Sequence, residues 1–531
     1  MRARVAGAEK SSGRRLAGGA ALLAASAVIA KIVGACYRVP LTNILGAEGI
    51  GLYQLVFPVF ALMTTLSSAG IPSALARTVA EKRGAGESPA GALMSALALI
   101  TCASLVCFLV TVLAARPIAA AQGNPEAWTG YVAVAPAVLF VGIVAGLRGW
   151  FQGELDMLPT ALSNVMEQVV KLGAGVGFAL ALKDRGTVAA VAGALAGVTL
   201  SELAAAIYLA VLAAVRAKRG GIAPRDLRPG KGGIRIMARA AAPFAAAALI
   251  MPLGTFLDSF IIVNALRLGG VSPALATAQY GLYSGPVASL VTAPVVAIMS
   301  LAVAVMPSVS LSRAGRDLEG LVAKCRMSIK LVYLIGVPAA LFFVIFGRDI
   351  LGLLYPGLTG GEIALAGRLL SVQAVSVVLV SATQIYISLL QGLDRARSAV
   401  KALFSALIVK VVLSLTLTRF MGITGASVAS VVMSAVSLAV LAVSFRRLTD
   451  IGEQKNIAKV LLAGVIMSAA GMLVKAYVPG GVAAVAAGLL PVILVYAPAV
   501  MTAGIFSEQE LLSLPLGVRL VHLRRRLRFW D

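Results

Sequence analysis

Eight ionisable residues stand inside the long apolar runs of this 531-residue chain: the bases Lys31, Arg38, Lys171, Arg368 and Lys410, and the acids Glu167, Glu202 and Asp258. A charge at mid-bilayer costs at least about 2.5–3.5 kcal/mol, so it faces a water-filled cavity or a partner. The bases outnumber the acids, and a cavity lined by these groups would favour an anion. Lys31, Lys171 and Lys410 each lie 14–15 residues into their runs. At 1.5 Å per residue that is roughly 21–23 Å, near or beyond the midplane and too deep for easy snorkelling. Arg38 and Arg368 lie nearer the far surface, as substrate contacts or as interface anchors. Glu167, Glu202 and Asp258 either bind a coupling cation or proton or neutralise nearby lysines. Glu167 precedes Lys171 by four residues, so a same-face ion pair is the plain structural alternative for that pair.

Other chemistries lack their residues. The one histidine, His522, sits in a basic tail. The four cysteines (Cys36, Cys102, Cys107 and Cys325) have no metal or disulfide spacing. No nucleophile cluster lies in a polar loop, as an integral membrane enzyme acting on a polyprenyl donor would need. The sequence therefore predicts no catalytic residue, no metal and no resident cofactor. Any driving force would come from the membrane potential, Na+ or H+.

The elements that hold these charges must be membrane helices. Hydrophobic residues make up 60% of the chain, charged residues 13%, and mean hydropathy is +0.95. A spanning helix needs about 20 mostly apolar residues, and in lipid only helices or closed barrels satisfy the backbone. The runs lack barrel alternation and are rich in Leu, Ala, Val and Gly, as packed membrane helices are. The fold class expected is all-α integral membrane, with about fourteen spans: 16–41, 52–78, 91–114, 129–147, 157–182, 187–214, 238–266, 273–306, 328–346, 363–391, 395–418, 421–445, 456–478 and 481–505. The first run follows Arg2, Arg4, Lys10, Arg14 and Arg15 without a convincing cleavage site and reads as a retained first span. Pro40, Pro58, Pro72, Pro136, Pro252, Pro286, Pro294 and Pro338 mark hinges or ordinary packed kinks.

Charge sets the orientation. Of the 46 Lys and Arg residues, 34 fall in one set of loops and ends, 7 in the other, and 5 within spans. That bias places the first set, and both termini, in the cytoplasm of a cell whose cytoplasmic membrane holds the protein. The net charge of +24 is therefore loop charge, which argues against nucleic acid and for anionic phospholipids at the basic loops and tail. The division expected is an N-lobe at 1–215, a basic linker at 216–239, a C-lobe at 240–447, a further pair of spans at 448–505, and a basic tail at 506–531 that lies on the leaflet or is disordered.

The two lobes repeat. Gly51-Leu52-Tyr53, with Ile71-Pro72-Ser73 and Arg77 after it, is matched by Gly281-Leu282-Tyr283, with Met306-Pro307-Ser308 and Arg313. Gln152-Gly153 precedes Lys171 by 19 residues, and Gln391-Gly392 precedes Lys410 by the same 19. Six spans is an even number, so both copies insert the same way round. That is the parallel repeat of a rocking transporter with a site between lobes.

Certain stretches then resemble a known family. Lys31-Ile32-Val33-Gly34, Arg38-Val39-Pro40, Leu45 through Tyr53, and Ala69-Gly70-Ile71-Pro72 with Arg77 are similar to the opening of the SpoVB-type polysaccharide exporters. Phe151-Gln152-Gly153, Met157 through Ala161, and Glu167-Gln168-Val169-Val170-Lys171 resemble them most specifically. These exporters belong to the multidrug/oligosaccharidyl-lipid/polysaccharide exporter (MOP) superfamily, with the MurJ lipid II flippases and the MATE drug exporters. The resemblance implies two six-helix lobes and a last helix pair that extends a groove for a lipid tail. It implies movement of an undecaprenyl-pyrophosphate-linked oligosaccharide or peptidoglycan precursor from inner to outer leaflet, in spore-cortex or cell-wall synthesis. Lys31, Arg38 and Lys171 would hold the pyrophosphate. Tyr37-Arg38 stands where the MurJ branch has an Arg-Asp pair, which leans toward the SpoVB branch. A cation-coupled multidrug exporter of the same superfamily is the alternative, and the basic excess weighs against it.

Overall fold

The computed structural model describes residues 2–219, 232–299, 312, 315, 317–393, 395–446, 454–478, 480–512 and 517–527. The middle of the basic linker, and the Met306-Pro307-Ser308 and Arg313 part of the repeat, lie outside them. Among the described residues there are helices and turns and no strand. The chain divides into two compact units, Met1–Gly281 and Leu282–Asp531.

The first unit holds α1 (Arg2–Ser68), α2 (Ile71–Gly84), α3 (Ala90–Leu113), α4 (Ala115–Ala121), α5 (Trp128–Gly153), α6 (Leu158–Leu182), α7 (Thr187–Arg219), α8 (Gly233–Ala248), α9 (Ile250–Leu268) and nearly all of α10 (Pro273–Leu282). The second holds α11 (Leu318–Leu354), α12 (Gly360–Gly392), α13 (Ala396–Met421), α14 (Ile423–Arg446), α15 (Gln454–Tyr477), α16 (Val482–Pro491), α17 (Ala497–Thr502), α18 (Glu508–Leu512) and α19 (Gly517–Leu527). The contacts thus group α8, α9 and most of α10, which follow the basic linker, with the first unit.

Thirteen stretches among the described residues are long and apolar enough to cross a membrane. The first, Ala25–Gly84, has 60 residues, about 90 Å if straight, against a hydrocarbon core of about 30 Å. It is broken at Gly46, whose φ of 66° and ψ of −174° are not helical. Only glycine takes that backbone without strain. One stretch with a break in its middle therefore supplies two crossings, in line with the expected fourteen.

Two expected spans differ in detail. Within the run 238–266 the helical backbone continues through Leu249, which donates to the Ala245 carbonyl and accepts from Leu253. Pro252 cannot donate to Ala248, so α8 and α9 part there, and only Ile250–Leu268 is long and apolar enough to count as a span by itself. The eighth expected span begins as Pro273–Met299 and carries a π-turn at Tyr283–Val287. Pro286 has no N–H to give, and the wider turn absorbs the missing bond.

The first unit packs around Ile71, Leu75, Leu93, Ile100, Phe151 and Leu209. On the side away from the basic loops, a buried polar knot ties four of its helices. Gln122 donates to the Leu55 carbonyl at 3.0 Å and to the Ser259 hydroxyl at 2.9 Å. Tyr131 donates to the Gln122 side-chain oxygen and to the Leu55 carbonyl. Asn124 donates to the Thr277 hydroxyl at 3.0 Å. With its polar atoms paired, this knot fixes α1, α5, α9 and α10 against the segment after α4 without a desolvation penalty.

Beside the knot the two Gly-Leu-Tyr motifs meet. A Cβ on Gly51 would collide with the Thr277 carbonyl oxygen; one on Gly281 would fall 2.5 Å from the Ala47 carbonyl oxygen and 2.7 Å from the Gly51 Cα. The contact is reciprocal, since each glycine faces the residue four before the other. Both helices approach here at backbone distance, as small residues allow in membrane packing.

In the second unit, Ile298, Leu321, Ile329, Val332, Leu389 and Phe445 form one core. A second core joins Val337 of α11, Val460 and Met467 of α15, Val500 of α17 and Val521 of α19, with Ile505 and Phe506. The expected alternatives for the tail, flat on the leaflet or disordered, miss this contact: α18 and α19 are folded back onto spans.

Candidate functional site

A cavity of about 320 Å³ opens inside the first unit. Its polar wall is Arg148, Glu167, Lys171 and Glu202, with Thr64; its apolar wall includes Phe57, Phe60, Val141, Val144 and Val198. Four helices supply it: the second crossing of α1, then α5, α6 and α7. The α5–α6 hairpin sets the depth of each group. Ser163, Glu167 and Lys171 recur every fourth residue on α6, and so share a face. They lie about 8, 14 and 20 Å along the helix from Leu158. Arg148 is five residues before the end of α5, across from Ser163.

The charges are arranged in order. Arg148 donates through Nε to the Ser163 hydroxyl at 2.9 Å and through Nη2 to Glu167 Oε2 at 3.1 Å. Gln168 donates to Glu167 Oε1 at 2.9 Å. Both members of the Arg148–Glu167 pair are mostly buried, at 19% and 16% side-chain exposure. Glu202, 8% exposed, lies within hydrogen-bonding reach of Glu167. Lys171 makes no ion pair among the described residues. It points over the Tyr37 ring, 6.0 Å from the centroid, and feels the charges of Glu167, Glu202 and Arg38. The expected Glu167–Lys171 pair along one helix is therefore replaced by a pair across two helices. Tyr37 packs against Tyr53, with ring centroids 6.5 Å apart.

The other expected site residues stand elsewhere. Arg38 is half-buried beside Tyr37 on α1, and Lys31, two turns earlier, is exposed. Asp258 is buried on α9, 9% exposed, and does not line the cavity. Arg368, exposed on α12, and Lys410, half-buried on α13, belong to the second unit. Lys171 and Lys410 do occupy matching places: α5 ends at Gly153 and α12 at Gly392, and each lysine lies on the next helix.

Arg148 is the residue that sequence reading misses. It falls one position beyond the expected fourth span, 129–147, and counts there with the basic loops. The signal lies in α6, where Ser163 and Glu167 need a buried donor at their depth. Among the described residues no three His, Cys, Asp or Glu side chains gather to hold a metal.

Cationic, anionic and aromatic groups meeting inside one bundle of apolar helices fit the matches to known proteins. The model of a polysaccharide biosynthesis protein matches residues 16–312, more than half the chain. The chain belongs to that family. A second model, MatE, matches residues 243–416. Stage V sporulation protein B of Bacillus subtilis (strain 168) is 28% identical over 345 residues, 64% of this chain and 66% of that protein, so the match spans just under two thirds of the relative. Lipid II flippase MurJ of the same organism is 23% identical over 487 residues, 87% of this chain and 88% of that one. Among solved structures, lipid II flippase MurJ in an inward closed conformation superposes with a TM-score of 0.73 at 12% identity, over 90% of this chain and 97% of that one. The fold is that of the MOP superfamily, and the protein is a multi-pass membrane protein.

Proposed function

We propose that this member of the family is a flippase that carries an undecaprenyl-pyrophosphate-linked oligosaccharide or peptidoglycan precursor from the inner to the outer leaflet by alternating access. One observation carries the reading: Arg148 and Lys171 stand at two depths of one cavity, Arg148 held by Glu167 and Lys171 in no ion pair among the described residues. With both glutamates ionised the four charges cancel. Protonating one, or binding a cation beside it, leaves a positive site that suits a diphosphate. A volume of about 320 Å³ is at the low end of small-ligand pockets, about 300–1,000 Å³. It admits the charged linkage and leaves the glycan in open water and the polyprenyl chain in lipid. Arg38 and Lys31 on α1 are further headgroup contacts in the first unit, and Lys410 and Arg368 are the bases the second unit offers to the same kind of anion. The last crossings, α15 to α17, line the groove for the lipid tail. Glu167 and Glu202 are two carboxyls of one cavity wall, and a proton taken up by either is our candidate for the coupling ion. The work is transport rather than catalysis. The relative named for stage V of sporulation and the lipid II flippase relative support spore cortex or cell wall as the setting, in the cytoplasmic membrane with both termini inside.

The test is lipid II exposure at the outer leaflet of cells depleted of their own flippase and expressing this chain, beside Lys171→Ala and Arg148→Ala variants at equal membrane level. Restored exposure by the parent and not by the variants is expected. No exposure from the inserted parent would remove lipid II as cargo, and other undecaprenyl-linked glycans would be tried in the same assay. Glu202→Gln keeps the side chain's shape but removes one titrating carboxyl from the cavity. It should flatten the dependence of exposure on external pH. A second reading, cation-coupled export of a drug, is favoured by the carboxylates in the same cavity. Drug resistance conferred by the parent and abolished in Glu202→Gln would select it.

A further inference from the structure

The C-terminal segment has two faces, and only one is used by the protein. Val521 and Arg524 of α19, three residues apart and both 8% exposed, turn toward the spans. Val521 joins Val460, near the start of α15, and Val500 of α17. Arg524 donates to the Phe506 carbonyl at 2.8 Å. Lys459 donates to the Ala503 carbonyl at 2.8 Å. These contacts hold α19 level with the ends of α15 and α17, where spans leave the hydrocarbon. Before α19, Ser507 and Glu510 cap each other's backbone N–H groups, the reciprocal capping of a helix start. The same Glu510 carboxylate takes both hydrogen bonds from Lys330 of α11, at 2.9 and 3.0 Å.

The outward side of α19 carries Arg519, His522 and Arg525, exposed and three residues apart, hence one row along the helix, with exposed Val518 among them. The acids described in this segment do not neutralise that row. Glu510 is turned inward to Lys330, and Glu508 reaches only Arg525, at 3.4 Å with both side chains more than half exposed. A basic row held at the level of the headgroups, on the side of the molecule that carries most of the Lys and Arg, has charge complementary to one kind of surface.

We infer that the C-terminal segment is a clip between protein and bilayer: the Val521–Arg524 face of α19 locks onto Phe506 and the ends of α15 and α17, Glu510 of α18 ties it to Lys330 of α11, and the Arg519–His522–Arg525 row binds the phosphates of an anionic lipid leaflet. Lipid charge then bears on the last pair of spans without touching the cavity. The inference does not depend on the cargo.

The full chain is reconstituted in nanodiscs of phosphatidylcholine alone or with a large phosphatidylglycerol fraction, and amide exchange is followed over 517–527. Each basic residue near an anionic surface contributes enough that phosphatidylglycerol should slow exchange there about five- to thirtyfold, less at high salt. The Arg519→Glu/Arg525→Glu variant changes only exposed side chains. It should exchange alike in both lipids while melting at the parent's temperature. Equal exchange of the parent in both lipids would overturn the inference, leaving a helix held by protein contacts alone. So would an unchanged phosphatidylglycerol effect in the double variant. Protection by inorganic phosphate in phosphatidylcholine discs, equal to that from phosphatidylglycerol, would overturn it too, because the row would then be a free-anion site.

Discussion

Arg148 reaches Ser163 and Glu167 with two different nitrogens, so it both builds the cavity and sets its charge. Arg148→Ala should lower stability by about 1.5–3 kcal/mol, the range for hydrogen bonds to charged groups, read as a fall in melting temperature in detergent. Arg148→Lys should rescue little of this, because one ammonium cannot make both bonds of the planar fork. Lys171 behaves differently, having no ion pair to lose. Lys171→Met should melt at or near the parent's temperature, since among the described residues the lysine makes no ion pair or hydrogen bond to set against the cost of desolvating its charge, yet abolish transport if the lysine holds the headgroup. Glu510 gives a pH signature. Burial alone would push its carboxyl upward, but the hydrogen bonds from Ser507 and the Lys330 ammonium more than offset this and hold it below the usual carboxylate range. A carboxylate depressed in the folded state stabilises above its unfolded value, about 4.3, and loses that stabilisation as pH falls through the lower folded value. The C-terminal segment should therefore resist protease at neutral and mildly acidic pH and be released only in strong acid. Glu510→Gln should weaken the clasp wherever the parent's carboxyl is ionised and match the parent in strong acid. These residues are unevenly legible. Glu167, Lys171 and Glu202 announce themselves as charges in apolar runs. Arg148 does not, because a base near a span end looks like loop charge until the neighbouring helix supplies its acid.

At the scale of helices, the crossing of α1 and α10 gives the sharpest expectation. Gly281→Val adds atoms where a Cβ alone would sit 2.5 Å from the Ala47 carbonyl oxygen, and that obstacle is backbone. Overpacking of this kind costs about 1–3 kcal/mol, so the variant should insert in lower yield and melt earlier. A fair control is Gly173→Ala on α6, where a Cβ meets nothing within 4 Å; it should melt with the parent or slightly above it. Most of the helices can be read from hydropathy, which is a property of composition alone. Their breaks can be read where glycine or proline forces them: Gly46 parts the two crossings of α1, and Pro252 lacks the N–H that would bond Ala248 at the end of α8. The docking of α18 and α19 is hidden: a basic amphipathic segment suits a lipid surface and a protein groove alike, and only Val460, Val500 and Lys330 decide which face goes where.

For the whole molecule, the expectation to test is that fourteen crossings bring both ends to one side. Single cysteines placed at Glu87 and at Glu508, in a chain whose own four are replaced, should react with an impermeant maleimide only after the membrane is opened, while one at Asp184 should react in intact cells. The opposite pattern would invert the orientation; a mixed one would break the count. The repeat also has a consequence for this crossing. Where the Gly-Leu-Tyr motifs meet, position 51 faces 277 and position 281 faces 47, the reciprocal pattern of an isologous contact. The two sides are nonetheless not interchangeable. Thr277 stands where the other motif has Ala47, and its hydroxyl accepts from Asn124, so replacing Thr277 strips the buried knot of a bond while the matching change at Ala47 touches packing alone.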